Sequence, residues 1–585
     1  MTVIVRDAAS GKWRLFERPR EIVSVSDIGD VLPALQKIED ECTRHHRYAA
    51  GFLSYEAAPA FDAALKTQRA GDFPMLWFGV YDTAEARTLD ELGSSNGPVS
   101  DEQWKPSILE EQYTRVFDEL QKLIRNGDTY QVNYTYRMRA QLASDPFALF
   151  LRLAAAQLPP FGAYIDTGEW AICSASPELF FHRQGDRVES RPMKGTAARG
   201  LWFEQDLDHA KRLLESDKER AENVMIVDMV RNDLGRVARP GSVRVTNLFD
   251  VERYPTVLQL TSTVAAETDA TLVDLMRALF PAASITGAPK ARTMEIIADV
   301  ECSPRRIYTG TIGFVEPGGR AQFNVAIRTV LVNGATGEAE YGVGGGIVAD
   351  SNREDEWNES RIKARTLAAR PPTFDLLETL LWIPGAGYVL LGRHMKRLLQ
   401  SADYFAFQAD VLDIRDQLER YAARLPSSPH RVRLLVSRRG AIDISSAPHE
   451  VEAGFPALAL AAAPIDPSNP FLYHKTTNRA VYEEAIAARP GFRDVLLYND
   501  RGEITESTIA NFVIEIGGEL VTAPVSSGLL PGTLRAHLLD ERKIRENVIT
   551  VQELRADTKC YLLNSVRGFH PATVAYSSVI SCPSL

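Results

Sequence analysis

The sequence predicts an α+β protein with more than one hydrophobic core, and three observations carry that reading. The chain has 585 residues, against a prior of about 150 residues per domain. Strand-like runs such as DTYQVNYTYRMRA (128–140) and AQFNVAIRTVLV (321–332) stand among helical patterns, which suggests α+β rather than a doubly wound α/β sheet. At AARPPTFD (368–375), two prolines follow the charged helical pattern NREDEWNESRIKARTLAA and stop it. A boundary there predicts one domain over 1–369, with its core at about 110–369, and a second over 372–585. No repeat period recurs that would indicate a solenoid or propeller.

Composition narrows the class. Hydrophobic residues make up 45% and charged residues 24%, as in ordinary globular proteins. With 66 Lys and Arg against 77 Asp and Glu, the net charge is -11, so no general field draws a polyphosphate, and nucleic acid is not an expected partner. An anionic substrate must then find local positive charge from Arg, Lys, helix N-termini or a bound cation. Cys42, Cys173, Cys302, Cys560 and Cys582 have no C-x-x-C spacing, so neither a disulfide framework nor a Cys-based zinc site is expected and a reducing cytoplasm fits. The N-terminus lacks an apolar signal core, and the apolar stretch ALALAAAPI (457–465) is too short to span a bilayer. A soluble, unprocessed cytoplasmic protein is expected.

Two helices come first. In SDKERAENVMIVDMVRNDLG (216–235), Ser216 is a candidate N-cap, Glu219 stands three residues on, and Gly235 ends the pattern. Glu219 and Glu222 then share a face. In DSNREDEWNESRIKAR (350–365), Glu356, Glu359 and Lys363 fall at i, i+3 and i+7, again on one face. Two such faces can hold a hard cation, since Mg²⁺ takes one or two carboxylates plus substrate oxygens. The alternative is a capping box at Glu219, a Glu359–Lys363 pair, and solvated faces.

Two turns follow. PMKGTAARG (192–200) sets Lys194 between Pro and Gly, where rigid, partial desolvation would lower its pKa toward nucleophilic use; otherwise it is a loop lysine. YGVGGGIVAD (341–350) offers the amides of Gly344, Gly345 and Gly346 to an anion without side-chain obstruction, or is simply a tight turn.

Taken with GDTYQVNYTYR (127–137), SPELF (176–180), SITGAPK (284–290), YTGTIGF (308–314) and FNVAIRTV (323–330), in this order, about 260 residues resemble the chorismate-utilising enzymes, specifically aminodeoxychorismate synthase component I. The resemblance implies antiparallel sheets with outer helices, Mg²⁺ on Glu222 and Glu359 with Glu219 and Glu356 in support, and Arg328 as a fork for a chorismate carboxylate. It implies Glu178 as the acid that protonates the departing C4 hydroxyl, and contacts to substrate from Thr196, Lys363, Gln131 and the glycines. Lys194 discriminates: the resemblance implies that aminodeoxychorismate synthases use this lysine to attack C2 before ammonia enters at C4, whereas anthranilate synthases carry alanine. Related isochorismate and salicylate synthases have a water-activating lysine where Gln131 stands, so ammonia is the expected nucleophile. Gln259 and Phe314 occupy positions where anthranilate synthases have His and Tyr. No cysteine lies in a Gly-x-Cys-x-Gly context, so a separate glutamine amidotransferase is expected to supply ammonia.

After residue 371, LLETLLW (376–382), LGRHMKRLLQSADYF (391–405), YHKTTNRAVY (473–482), EITESTIANFVIE (503–515), GLLPGTLR (528–535) and LLNSVRG (562–568) follow in order. They resemble the fold-type IV pyridoxal-phosphate enzymes, which include aminotransferases and aminodeoxychorismate lyase. The resemblance implies Lys475 as Schiff-base lysine, Glu506 at the ring nitrogen, phosphate contacts from Arg397, Gly532 and Thr533, Ser565 beside them, and a possible homodimer through this domain. Fused to the first domain, a lyase would complete synthesis of 4-aminobenzoate, a folate precursor. The alternatives are an aminotransferase in the second half or an anthranilate synthase component I in the first.

Overall fold

The structure is a computed structural model that describes residues 1–93, 102–364, 367, 373–449, 457–555 and 558–575. Residues 368–372 of the expected boundary at 368–375 and Cys582 lie outside the described residues; Cys42, Cys173, Cys302 and Cys560 are free thiols. Two compact units emerge, one of 1–199 with 209–371 and the other of 200–208 with 372–585. No described helix is long and apolar enough to cross a membrane.

The first unit is built on two ten-stranded sheets. One runs from Gly287–Ala288 through the long strand Gln131–Gln141 and its partner Glu338–Ile347 to Thr329–Asn333, and outward to the hairpin Thr2–Asp7 and Lys12–Glu17. The other has Met193–Ala198 beside Val257–Glu267 and continues through Arg187–Arg191, Leu179–Gln184 and Ala321–Val325. All of these pairings are antiparallel, as the sequence led us to expect.

Strand Gln131–Gln141 shows how side-chain alternation builds the unit. Tyr134 and Tyr136 lie on one face, where Tyr134 meets Tyr113 at 5.3 Å and Tyr136 meets Trp357 at 5.3 Å between ring centroids. The Tyr136 hydroxyl and Ser360 Oγ are 2.8 Å apart. Trp357 and Ser360 are thus the buried face of helix Arg353–Ala364, which leaves its glutamates on another face. Thr135 and Arg137, on the opposite side of the strand, meet Glu301: Thr135 donates through N at 3.0 Å and Oγ1 at 2.7 Å, and Arg137 is 3.6 Å away. Arg305, buried, completes the cluster with bonds to Glu301 of 2.7 and 3.1 Å.

The second unit has a four-stranded antiparallel sheet and a nine-stranded mixed one. In the smaller sheet, Leu376, Leu380, Val432, Leu434 and Val436 pack with helices Leu391–Phe405 and Val411–Ala422. The alternating positions Leu377, Thr379, Arg431 and Arg433 line a cavity instead. The larger sheet contains parallel pairs, such as Leu458–Leu460 with Asp494–Tyr498.

Removing one member of a buried ion pair strands the other, at a cost of about 3–5 kcal/mol. Glu301→Leu is therefore expected to shift the urea unfolding of the first unit by about that amount. An unchanged midpoint would count against a structural role for the cluster.

Candidate functional site

In the first unit, the two sheets and two helices converge on a cavity of about 250 Å³. Helix Asp217–Gly235 starts at Ser216, whose Oγ accepts from Glu219 N at 3.4 Å. That backbone cap is present, but the Glu219 carboxylate turns to the cavity with Glu222, where helix Arg353–Ala364 contributes Glu356 and Glu359. Burial, then the charge of Glu222, pushes Glu219 up, and burial pushes Glu356 up. The Lys363 ammonium beside Glu359, at 2.8 Å, holds that carboxyl below its usual range. The pairing foreseen as the bland alternative exists, inside the cavity.

Lys194 is not in a turn. It stands in strand Met193–Ala198, whose pairing shifts register between Met193 and Thr196, with Gly195 at φ 104°. A bulge of this kind re-aims a side chain, and Lys194 Nζ lies 3.0 Å from Glu222. The wall against it is therefore ionic rather than simply desolvating. Thr196 Oγ1 donates to Gln259 Oε1 at 3.2 Å.

Gly344, Gly345 and Gly346 also correct an expectation. They form no turn but the end of strand Glu338–Ile347, opposite Thr135, Tyr134 and Asn133, and they line the cavity. Space demands glycine at 344, where the obstacle is backbone. A Cβ on Gly344 would lie 2.1 Å from Tyr134 O, on Gly345 2.8 Å from Glu356 Oε2, and on Gly346 2.9 Å from Gln131 Nε2 and 3.0 Å from Lys194 Nζ. Gln131 is 1% exposed, and both its amide atoms are buried without a hydrogen-bond partner among the described residues.

Glu178 is buried and accepts from Ser284 Oγ at 2.6 Å; burial pushes it up to about 7. Arg328 sits 5.8 Å over the Tyr254 ring and holds a left-handed backbone, φ 50°, strain of the kind that accumulates at functional sites. Phe314, in contrast, is core, packed among Phe16 and Ile312, and Tyr308 lines the cavity. Ser284 in SITGAPK and Tyr308 in YTGTIGF join the site, bringing hydroxyls that these motifs carry.

In the second unit, Lys475, Glu506, Arg397, Gly532, Thr533 and Ser565 all line one cavity of about 770 Å³. Burial, and then the Arg397 charge, bring Lys475 down to about 8. Burial pushes Glu506 up to about 7 although Leu530 N, Tyr482 Oη and Asn511 Nδ2 donate to it at 3.0, 2.8 and 3.1 Å. A Cβ on Gly532 would lie 1.9 Å from Asn511 Oδ1, so a larger residue would displace the amide that donates to Glu506. A depressed amine, a buried carboxylate and a cluster of arginine with hydroxyls fit the amine-reactive carbonyl, ring nitrogen and phosphate of pyridoxal phosphate. Glu378, His394, Arg431, Arg433 and Tyr482 were not foreseen, because nothing in their spacing distinguishes them from ordinary strand and helix residues.

Residues 17–369 match the family of chorismate binding enzymes. The chain belongs to that family. Residues 375–574 match amino-transferase class IV, a fold that implies pyridoxal phosphate. Aminodeoxychorismate synthase component 1 of Klebsiella aerogenes is 43% identical over 295 residues, 49% of this chain and 64% of that protein. The chain thus spans a little under two thirds of that relative. Anthranilate synthase component 1 1 of Haloarcula marismortui is 36% identical over 367 residues, 61% of this chain and 74% of that protein. In fold, the chain is similar to anthranilate synthase component I from Streptococcus pneumoniae TIGR4, with a TM-score of 0.53 at 24% identity, covering 63% of this chain and 92% of the other.

Because the folded value of Glu178 lies near 7, its carboxyl stays neutral through the usual carboxylate range and ionises as pH rises past that value. Infrared difference titration should therefore show a carboxylic acid band, absent in Glu178→Gln, that is lost near pH 7. Loss near pH 4 would contradict the assignment.

Proposed function

We propose that this chain makes 4-aminobenzoate in two steps: amination of chorismate to 4-amino-4-deoxychorismate in the first unit, then elimination of pyruvate in the second. The observation that carries the reading is Lys194 Nζ, an amine in the chorismate-family cavity 3.0 Å from Glu222, where an anthranilate synthase is expected to have no amine.

Charge supports a divalent cation in this reaction. Glu219, Glu222, Glu356 and Glu359 line the cavity with Lys194, Lys218, Lys363 and Arg328, so, with the fifth acid Glu178 protonated below about pH 7, four acids face four cations and a dianion gains little by entering. A bound Mg²⁺ tips the balance by two. Among the described residues, no three His, Cys, Asp or Glu converge to clasp a metal by themselves. Mg²⁺ needs no such cluster, since it takes one or two carboxylates and completes its octahedron with water and substrate oxygens. Glu222 and Glu359 would hold it, with Glu219 and Glu356 alongside, and its charge would fasten one substrate carboxylate.

Arg328 supplies a planar fork for the other carboxylate. Glu178, protonated up to about pH 7, gives its proton to the C4 hydroxyl as the C4–O bond breaks. Lys194 Nζ, once its proton has passed to Glu222, bonds through its lone pair to C2 in the same displacement; ammonia then bonds to C4 and the C2–N bond breaks, returning the lysine as the free amine. Gln131, with an open amide donor and acceptor, can hydrogen-bond ammonia but cannot take a proton from water. The ammonia source is a separate glutamine amidotransferase.

Pyridoxal phosphate in the second cavity supplies an electron sink for the carbon that bears the substrate amine. Lys475 Nζ, half neutral near pH 8, takes the proton from that carbon. Arg431, Arg433, Arg479 and His449 line the same cavity, whose one acid among its described lining residues is Glu506. Such a rim receives a substrate with two carboxylates better than a branched apolar side chain, which favours the lyase over a branched-chain aminotransferase.

Mass-resolved product analysis with chorismate, Mg²⁺, ammonium and pyridoxal phosphate is expected to yield 4-aminobenzoate and pyruvate without another enzyme. Accumulation of aminodeoxychorismate, or dependence on a 2-oxo acid, would remove the lyase step. Lys194→Ala should abolish aminodeoxychorismate; an unchanged product and rate would remove the covalent step. Lys475→Ala should lose the cofactor's visible absorbance band, and persistence of that band would displace Lys475 from its role.

A further inference from the structure

Behind the hydroxyls of the second cavity lies a buried acid–imidazole pair. Glu378, on strand Leu376–Ile383, is 0% exposed. Its Oε1 accepts from Arg397 Nε at 2.9 Å; its Oε2 accepts from Arg397 Nη2 at 2.6 Å and lies 2.7 Å from His394 Nδ1. Burial pushes this carboxyl up, but Arg397 and His394 overcome it and hold it at about 2. An ionised carboxylate only accepts, so His394 Nδ1 carries the proton of their shared bond.

That bond orients the ring. His394 Nε2 lies 3.0 Å from Ser565 Oγ and 3.3 Å from Thr533 Oγ1, and both residues line the cavity with Arg397 and Gly532. Each hydroxyl has one hydrogen. A neutral ring presents a lone pair at Nε2 and draws a hydroxyl hydrogen away from the cavity. A protonated ring donates to a hydroxyl oxygen instead, and both hydroxyl hydrogens are then free to face an anion.

We infer that Glu378 and His394 are positioning residues that make phosphate capture proton-coupled: when a phosphate monoester binds among Arg397, Gly532, Thr533 and Ser565, His394 takes up a proton and turns both hydroxyls toward it. The inference rests on reading this cavity as the pyridoxal phosphate site. The charged groups of the surrounding elements include Glu378 on its strand, Arg393, Lys396, Arg397 and Asp403 on the ring's own helix, Lys475, Arg431, Arg433, Arg479, Glu506 and Arg567 around the cavity, and Asp540, which holds Arg393 at 2.6 Å. Arg535 and His537, on the helix that begins at Thr533, pair with Glu546 and Glu541. The bound dianion adds negative charge next to the ring, which favours the imidazolium.

The test uses the full chain and 4′-deoxypyridoxine 5′-phosphate, which lacks the aldehyde and cannot bond to Lys475, with phosphate-free 4-deoxypyridoxine as the reference. Calorimetry at pH 8 in two buffers of different ionisation enthalpy reads proton uptake directly. The phosphate ester should take up about one proton more than the reference, with affinity falling about tenfold per pH unit above the ionisation of the ring. His394→Gln offers a permanent N–H donor, so the extra uptake and the pH slope should both vanish while binding persists. If that variant does not fold, Ser565→Ala combined with Thr533→Val should also remove the extra uptake. No extra uptake in the native chain, or undiminished uptake in the variants, overturns the coupling. Failure of both ligands to bind the native chain would instead overturn the reading of the cavity.

Discussion

The first cavity depends on the burial of one guanidinium. Arg305 has five N–H groups, and each has an acceptor: the two Glu301 oxygens, the carbonyls of Asn133 and Ile285, and Thr309 Oγ1. These acceptors come from the end of helix Lys290–Val300, the strand at Asn133, the SITGAPK segment and the turn before Thr311. Leaving any donor unmade inside the protein is costly, so the four segments are held together. Asn133 and Ile285 line the cavity, and Ser284, next to Ile285, supplies the hydroxyl on Glu178. A network built for burial thereby sets the position of the acid.

The second unit repeats the device with the signs exchanged: a buried carboxylate, Glu378, organises the arginine and imidazole around it. The two cavities nevertheless differ in electrostatic character. The first balances acids against lysines and Arg328, so its own charge gives an anion little net attraction. The second is lined by several arginines and one acid and is attractive to anions as it stands. Net charge of -11 conceals both, because steering is a local property of the cleft.

Much of each site was legible in order and type. The helix spacing of Glu219 with Glu222 and of Glu356 with Glu359 placed acids on common faces, and both faces do meet the cavity. The glycines at 344–346 were legible as unusual, but their reason was not. At Gly344 it is the distance from a would-be Cβ to the Tyr134 carbonyl on the partner strand, remote in sequence. The same limit explains Phe314, whose neighbours Phe16 and Ile312 put it in the core, and the bulge that aims Lys194, which requires Val257–Glu267 as a partner strand.

By itself, the sequence determined the α+β class, the order of motifs, the helical faces and the identity of many of the charged groups that line the two cavities. Those features follow from local periodicity and residue chemistry, which a linear chain contains in full. Only the tertiary structure decided which groups are paired: Lys194 with Glu222, Lys363 with Glu359, Ser284 with Glu178, and His394 between Glu378 and Ser565. Ionisation at Glu178, Lys475 and Glu506 follows from burial, and burial is a property of distant segments packed together. Chemistry of this kind is encoded residue by residue but becomes specific only when long-range contacts set distance and dielectric.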